Sequence, residues 1–171
     1  MSTLKPLGRT LIIASSLLLV GSAAQAADAI HAGEWTADIS KQEPIPIGGP
    51  DHVVVAQVWK GKTKASPKDY MPGEAQVLLS ETVDVTQGNG TQNGQYSAVD
   101  SKGSLTTAYT GKITTTMVDG QPRTTGEGTW RHVAGSGAYA NLRESGTHTW
   151  TMTSPTTVSG KWVSTQQSAT R

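Results

Sequence analysis

Cysteine and phenylalanine are both absent from the 171-residue chain, and charged residues make up only 16% of it. Without cysteine there is no disulfide framework, no thiolate metal site and no thiol nucleophile. The fold must therefore be held by its core alone. A domain of about 150 residues can do this, because it buries roughly two thirds of the surface that its unfolded chain exposes. Without phenylalanine that core relies on Val, Leu and Ile with five tryptophans and four tyrosines. Phosphate loops, dinucleotide fingerprints and G-x-S-x-G elbows are missing as well, since no glycine cluster opens a helical pattern.

One long apolar run is present, at the start. Lys5 and Arg9 precede an apolar stretch over residues 10–20, and Ala24-Gln25-Ala26 forms an A-x-A cleavage site. This is the pattern of a secretory signal peptide, and the run falls short of the ~20 residues a membrane span needs. No cysteine follows for lipidation and no Arg pair marks the twin-arginine route. The reading is a signal peptide over residues 1–26 and one mature domain over 27–171 with no membrane span, exported to the periplasm or secreted by a bacterial cell. Loss of Lys5 and Arg9 leaves 12 of the 14 basic residues against 13 acidic ones. A near-neutral surface gives no electrostatic footprint for nucleic acid or for an anionic membrane.

The mature chain alternates with a period of two, which is the period of strands. Residues 32–40 put Trp35, Ala37 and Ile39 on one side. A Pro/Gly-rich linker is expected over 42–50, a strand over 53–60 and a polar loop over 61–73. Over 76–86, Val77, Leu79, Val83 and Val85 share a face, with Glu81 among them. Residues 86–94 (TQGNGTQNG) are rich in turn formers and predict a loop, followed by a short strand over 95–99 and a hairpin turn over 100–103. Leu105, Tyr109, Ile113 and Met117 mark one face of a long strand, interleaved with Thr107, Gly111 and Thr115. Gly111 suggests a bend or bulge, and Asp119-Gly120 is a strong hairpin signal.

The last third is the most regular. Trp130 and His132 share a face; His148, Trp150 and Met152 share another, opposite a run of threonines; Val158, Gly160 and Trp162 follow after a turn at Ser154-Pro155. Gly-x-Trp recurs at Gly33, Gly128 and Gly160. Together these predict an all-β fold of about eight strands, an antiparallel up-and-down β-barrel, with a β-sandwich as the alternative. Between the strands, the two glycines of Gly135-Ser136-Gly137 allow a sharp turn that lays Tyr139 and Leu142 across the end of the sheet.

Gly135-Ser136-Gly137-Ala138-Tyr139, with Gly146 opening the next strand, resembles the glycine-rich signature of the allene oxide cyclase and dirigent-like β-barrel superfamily. That resemblance implies an eight-stranded antiparallel barrel with a central cavity. It carries no catalytic residues across, because it covers only the stretch from Gly135 to Gly146.

An eight-stranded barrel holds either a packed interior or one small ligand. The candidate lumen residues are Glu81, Tyr109, Trp130, His132, His148, Trp150, Met152 and Trp162. Aromatic walls suit an apolar body, and His or Glu would orient a polar end. Glu81, a carboxylate on an apolar face, must be paired, shifted in pKa, or set in a wet cavity, unless a bulge turns it to solvent. His132 and His148 lack a third ligand at diagnostic spacing, so no metal or other cofactor is expected. Three classes of function fit: a binding module for a small apolar or amphipathic molecule, a structural or interaction protein with a protein partner or a second copy, and an isomerase or cyclase of the allene oxide cyclase type. Binding ranks first and catalysis last.

Overall fold

The structure, a computed structural model, describes residues 29–49, 51–65 and 75–165. The segment 1–26, expected as a signal peptide, and most of the expected loop 61–73, including Tyr70, lie outside the described residues. Eight antiparallel strands follow one another around a closed barrel: β1 (Ala29–Pro46), β2 (His52–Ala65), β3 (Gln76–Thr86), β4 (Asn89–Asp100), β5 (Gly103–Val118), β6 (Gln121–Gly135), β7 (Ser145–Met152) and β8 (Thr157–Thr165). Every strand pairs with its sequence neighbours, and β8 pairs with β1 to close the ring. The sandwich alternative is thereby excluded.

Three segments expected as loops are strand. The linker at 42–50 is largely the end of β1, where Pro44 and Pro46 lie opposite Val55 and Val53 of β2. Pairing of β1 with β8 stops at Asp38, so this end of β1 is an edge, and a proline's missing N–H is tolerated on an edge. Residues 61–65 continue β2 instead of opening the polar loop. The TQGNGTQNG stretch holds only a two-residue turn, Gln87 and Gly88, with φ of 51° and 76°. These values fit a type I′ hairpin, and Asn89 onward belongs to β4. Asp119 and Gly120 repeat the geometry at the turn the sequence does signal, with φ of 50° and 74°.

The expected faces hold along most strands. Val77, Leu79 and Val83 are buried while Leu78 is 45% exposed, and β3 keeps an unbroken register with both neighbours. No bulge therefore turns Glu81 outward. On β5, Leu105, Thr107, Tyr109 and Ile113 are buried, but Met117 is 67% exposed because the β5–β6 hairpin outruns the barrel. The irregularity expected at Gly111 falls elsewhere: register runs straight through Gly111, and the extra residue is Val133, between the pairs Thr106–Ala134 and Thr107–His132.

The inward face is stabilised by a repeated pairing of large rings with glycine. Trp35 lies opposite Gly160, Trp150 opposite Gly126, Trp130 opposite Gly146, His148 opposite Gly128 and Tyr109 opposite Gly94. A Cβ at Gly126 would overlap the Trp150 indole, and one at Gly160 would overlap that of Trp35. The missing side chain is thus the space in which each ring lies flat against the neighbouring strand. Valines and Ile113 form a cluster at the end carrying the 87–88 and 119–120 turns. A larger cluster built from Trp35, Trp59, Leu79, Leu105, Trp130 and Tyr139 fills the rest.

After β6 the chain turns through Gly137 (φ 58°) into one 3-10 turn, Gly137–Tyr139. Tyr139, 3% exposed, joins the core and donates its hydroxyl to Asp100 Oδ2 at 2.5 Å, and Leu142 packs on the same cluster. Asp100 Oδ1 accepts from the backbone N–H of Lys102 and Gly103, so the glycine-rich loop and the β4–β5 turn are clasped together.

A methyl group placed where a ring must lie is expected to be costly. Gly126→Ala should lower the unfolding free energy by about 1–3 kcal/mol and change the emission of Trp150, as overpacking does. Gly49→Ala, where nothing lies within 4 Å, should change it by less than about 0.5 kcal/mol. Urea denaturation followed by tryptophan fluorescence measures both.

Candidate functional site

A half-open cavity of about 90 Å³ lies inside the barrel. All five tryptophans of the chain line it: Trp35 from β1, Trp59 from β2, Trp130 from β6, Trp150 from β7 and Trp162 from β8. Trp130 packs edge-on against Trp162 (centroids 5.9 Å apart, 88°) and tilted against His132 at 4.9 Å. Of the eight candidate lumen residues, Glu81, Tyr109, Trp130, His132, His148, Trp150 and Trp162 line this cavity. Met152 does not; it packs half-buried against the core, opposite Val158.

Glu81 sits deep in the wall, lining the cavity on one side and a surface groove with Lys41 and Glu43 on the other. Its Oε1 accepts from Gln57 Nε2 at 2.7 Å and Trp59 Nε1 at 2.8 Å, and its Oε2 accepts from the Tyr109 hydroxyl at 3.0 Å. Burial raises its pKa above the ordinary value, and the three hydrogen bonds from Gln57, Tyr109 and Trp59 only partly offset this. All three donors are neutral, and none of the ion pairs among the described residues includes Glu81. Burial also raises the pKa of Tyr109, as does the adjacent carboxylate, so the phenol stays protonated and donates.

A second network is centred on Gln92, which is 2% exposed. Trp150 Nε1 donates to Gln92 Oε1 at 3.1 Å, and an indole N–H can only donate. The amide orientation is therefore fixed, and Gln92 Nε2 donates to His148 Nε2 at 3.2 Å. The neutral His148 must then carry its proton on Nδ1. The imidazole also meets Tyr109 edge-on, at 5.5 Å and 79°. His132 forms a third group, with Nδ1 2.8 Å from Thr107 Oγ1. Burial lowers both histidines to about 4, with Glu144 and Arg143 as smaller, opposed influences on His132. Both rings are neutral at pH 7.

The two histidines cannot share a metal ion. His148 lies opposite Gly128, four residues along β6 from His132, a separation of ~13 Å at about 3.3 Å per residue. Among the described residues no cluster of three or more His, Asp or Glu could hold one.

Sequence reasoning did not single out Gln57, Trp59, Gln92, Tyr96 and Thr107 as site residues. The signal for two of them was period: Val55, Gln57 and Trp59 alternate inward along the apolar run of β2. Gln92 had no such signal, because its neighbours are all turn formers. Comparison of the chain with protein-family models gives no match, and comparison with curated proteins gives none either.

The buried groups set opposed pH dependences. His132 and His148 are depressed from 6.5 to about 4, so the unfolded chain binds protons that the folded one refuses. Stability should fall as pH drops from about 6.5 through about 4. Glu81 is raised above its usual 4.5, so its contribution is fully present below 4.5 and is lost as pH rises through its folded value. Urea titrations from pH 4 to 8 should show wild type losing ground to Glu81→Gln as pH rises, and His148→Gln flattening the acid side. A pH-independent difference between wild type and Glu81→Gln would contradict the assignment.

Proposed function

We propose that this chain is an exported barrel whose lumen binds one small molecule, with an apolar body against the indoles and a polar end at Glu81 or the His148–Gln92 pair. The carrying observation is the convergence of all five tryptophans on a single cavity. A barrel filled only for stability is satisfied by interdigitated aliphatic side chains, as in the Val55, Val83 and Ile113 cluster. Rings that leave a space between them, with a few fixed polar atoms aimed into it, form the usual lining of a small-molecule site. Export rests on the signal-like segment 1–26, and membership of the allene oxide cyclase and dirigent-like superfamily rests on the resemblance of Gly135 to Gly146. An eight-stranded barrel is the fold that this resemblance implies, although unrelated functions share such barrels.

A second reading, an isomerase or cyclase, is favoured by one observation: a buried carboxyl with raised pKa, 3.0 Å from a phenol. Such a pair can hold or pass a proton beside a bound intermediate. Turnover unchanged in Glu81→Ala would remove that role. In a third reading, a structural or interaction protein, a partner would bind outside the barrel and the lumen would hold no ligand.

Native mass spectrometry of the protein purified from its own cell envelope tests the proposal. A stoichiometric small molecule is expected, lost on denaturation and lost from Trp130→Ala, whose indole contacts both His132 and Trp162. An apo mass, together with tryptophan emission unmoved by a panel of small aromatic and aliphatic amphiphiles, would overturn it.

A further inference from the structure

The lumen's charge pattern goes further than its shape. Among the described residues Glu81 is the one acidic side chain that lines the cavity, and none of the described Lys or Arg residues lines it. Its partners are an amide, an indole and a phenol. A carboxylate offers about four lone-pair positions, and these three donors leave one free, on Oε2. A buried carboxylate with no countercharge is costly, so the occupant that gains most from this wall is one that brings the missing positive charge.

The rest of the wall selects the kind of cation. Glu81's fixed neighbours point N–H and O–H groups at it, so a bare metal ion would meet donors there, and among the described residues no cluster of three or more carboxylates or histidines could replace its water. Indole faces instead attract weakly hydrated organic cations, and tryptophan does so best. Trp35, Trp59, Trp130, Trp150 and Trp162 surround the space. On a scale where about 150 Å³ accepts benzene, a cavity of about 90 Å³ takes a headgroup of about four non-hydrogen atoms, and the half-open side leaves a route for a tail.

We propose that the lumen is an aromatic cage for an alkylated ammonium headgroup, with Glu81 as its counterion and the indoles as its walls. This rests on the lumen being the binding site, as argued above, and names the class of ligand it takes. An anionic ligand would meet the Glu81 charge, and a neutral ligand of the same shape would leave it unneutralised. Inside the barrel the described titratable groups facing Glu81 are Tyr109 from β5 and, beyond it, His148 from β7, and neither is cationic at pH 7; on the outer side Lys41 and Glu43 of β1 share a surface groove with Glu81, where the Lys41 ammonium is paired with Glu43 at 3.8 Å.

The test compares two probes of one shape, choline and its uncharged carbon isostere 3,3-dimethylbutan-1-ol, by tryptophan fluorescence and calorimetry at pH 7.5. Choline should bind at least about tenfold tighter, the size of difference that cation–π attraction and one ion pair produce. That preference should shrink to less than about twofold in Glu81→Gln, and should also weaken in Glu81→Asp, which withdraws the carboxylate by one methylene. Equal binding of the two probes to the wild-type protein would overturn the cation assignment and leave the lumen as the binding site. Retention of the full preference in a folded Glu81→Gln would overturn the counterion role. Binding of neither probe would overturn the cage, and with the amphiphile panel also silent the lumen reading would fall with it. Should Glu81→Gln fail to fold, the wild-type comparison and Glu81→Asp decide the matter.

Discussion

A closed eight-stranded barrel has a lumen too narrow for large side chains from every strand at the same level, and the pairing of most of its inward rings with a glycine eases this conflict. Trp150 lies over Gly126 and Trp35 over Gly160, so one strand provides the ring and its neighbour provides room for it. The layout of the interior depends on that alternation. It brings indoles from five strands to one cavity without filling its centre, and it lets the Tyr109 hydroxyl pass Gly94 to reach Glu81. Had the glycines been alanines, the rings would have been pushed into the cavity or out of the wall.

The arrangement also explains how a carboxyl can be held in such a wall. Glu81 lies between Gln57 on β2 and Gly94 on β4 in an unbroken register. Its hydrogen bonds come from β2 and from β5, two strands away across the glycine gap. Each donor is fixed by its own packing, so the group is buried with three hydrogen bonds, and what they leave is one lone-pair position on Oε2 and the cost of ionising in a buried wall. That separates it from Gln92, whose network with Trp150 and His148 is neutral throughout and serves to orient two rings.

Much of this was legible in the sequence because period two survives wherever one face is buried. Glu81 among valines, His148 with Trp150, and Trp130 with His132 all fell on the faces their alternation predicts, and Asp119-Gly120 marked its hairpin. What stayed hidden has a common cause: residues that favour turns are also the residues that make space. The glycines and asparagines of the TQGNGTQNG stretch read as a loop because their local preference is for turns. Gly90 and Gly94 in fact lie in β4, against Asp84 and Tyr109, where close approach excludes a side chain. Gln92 was lost with them. Likewise Pro44 and Pro46 read as a linker, and only the topology shows that β1 has an edge there to accommodate them. The bulge at Val133 left no sequence mark, since it depends on how β5 and β6 pair around the curve of the barrel.

The missing phenylalanine fits the same picture. Trp59, Trp150 and Trp130 each use the indole N–H: Trp59 to Glu81, Trp150 to Gln92, and Trp130 to the Thr147 carbonyl at 3.0 Å. Phenylalanine would fill comparable space but would leave each of those acceptors short of a donor inside the barrel, where an unmet acceptor is expensive. Trp and Tyr supply wall and donor in one side chain, so this interior can be aromatic and still hold polar groups in fixed positions. A lumen meant only to exclude water has no need of that double duty. One that holds a carboxyl and an amide buried in its wall does.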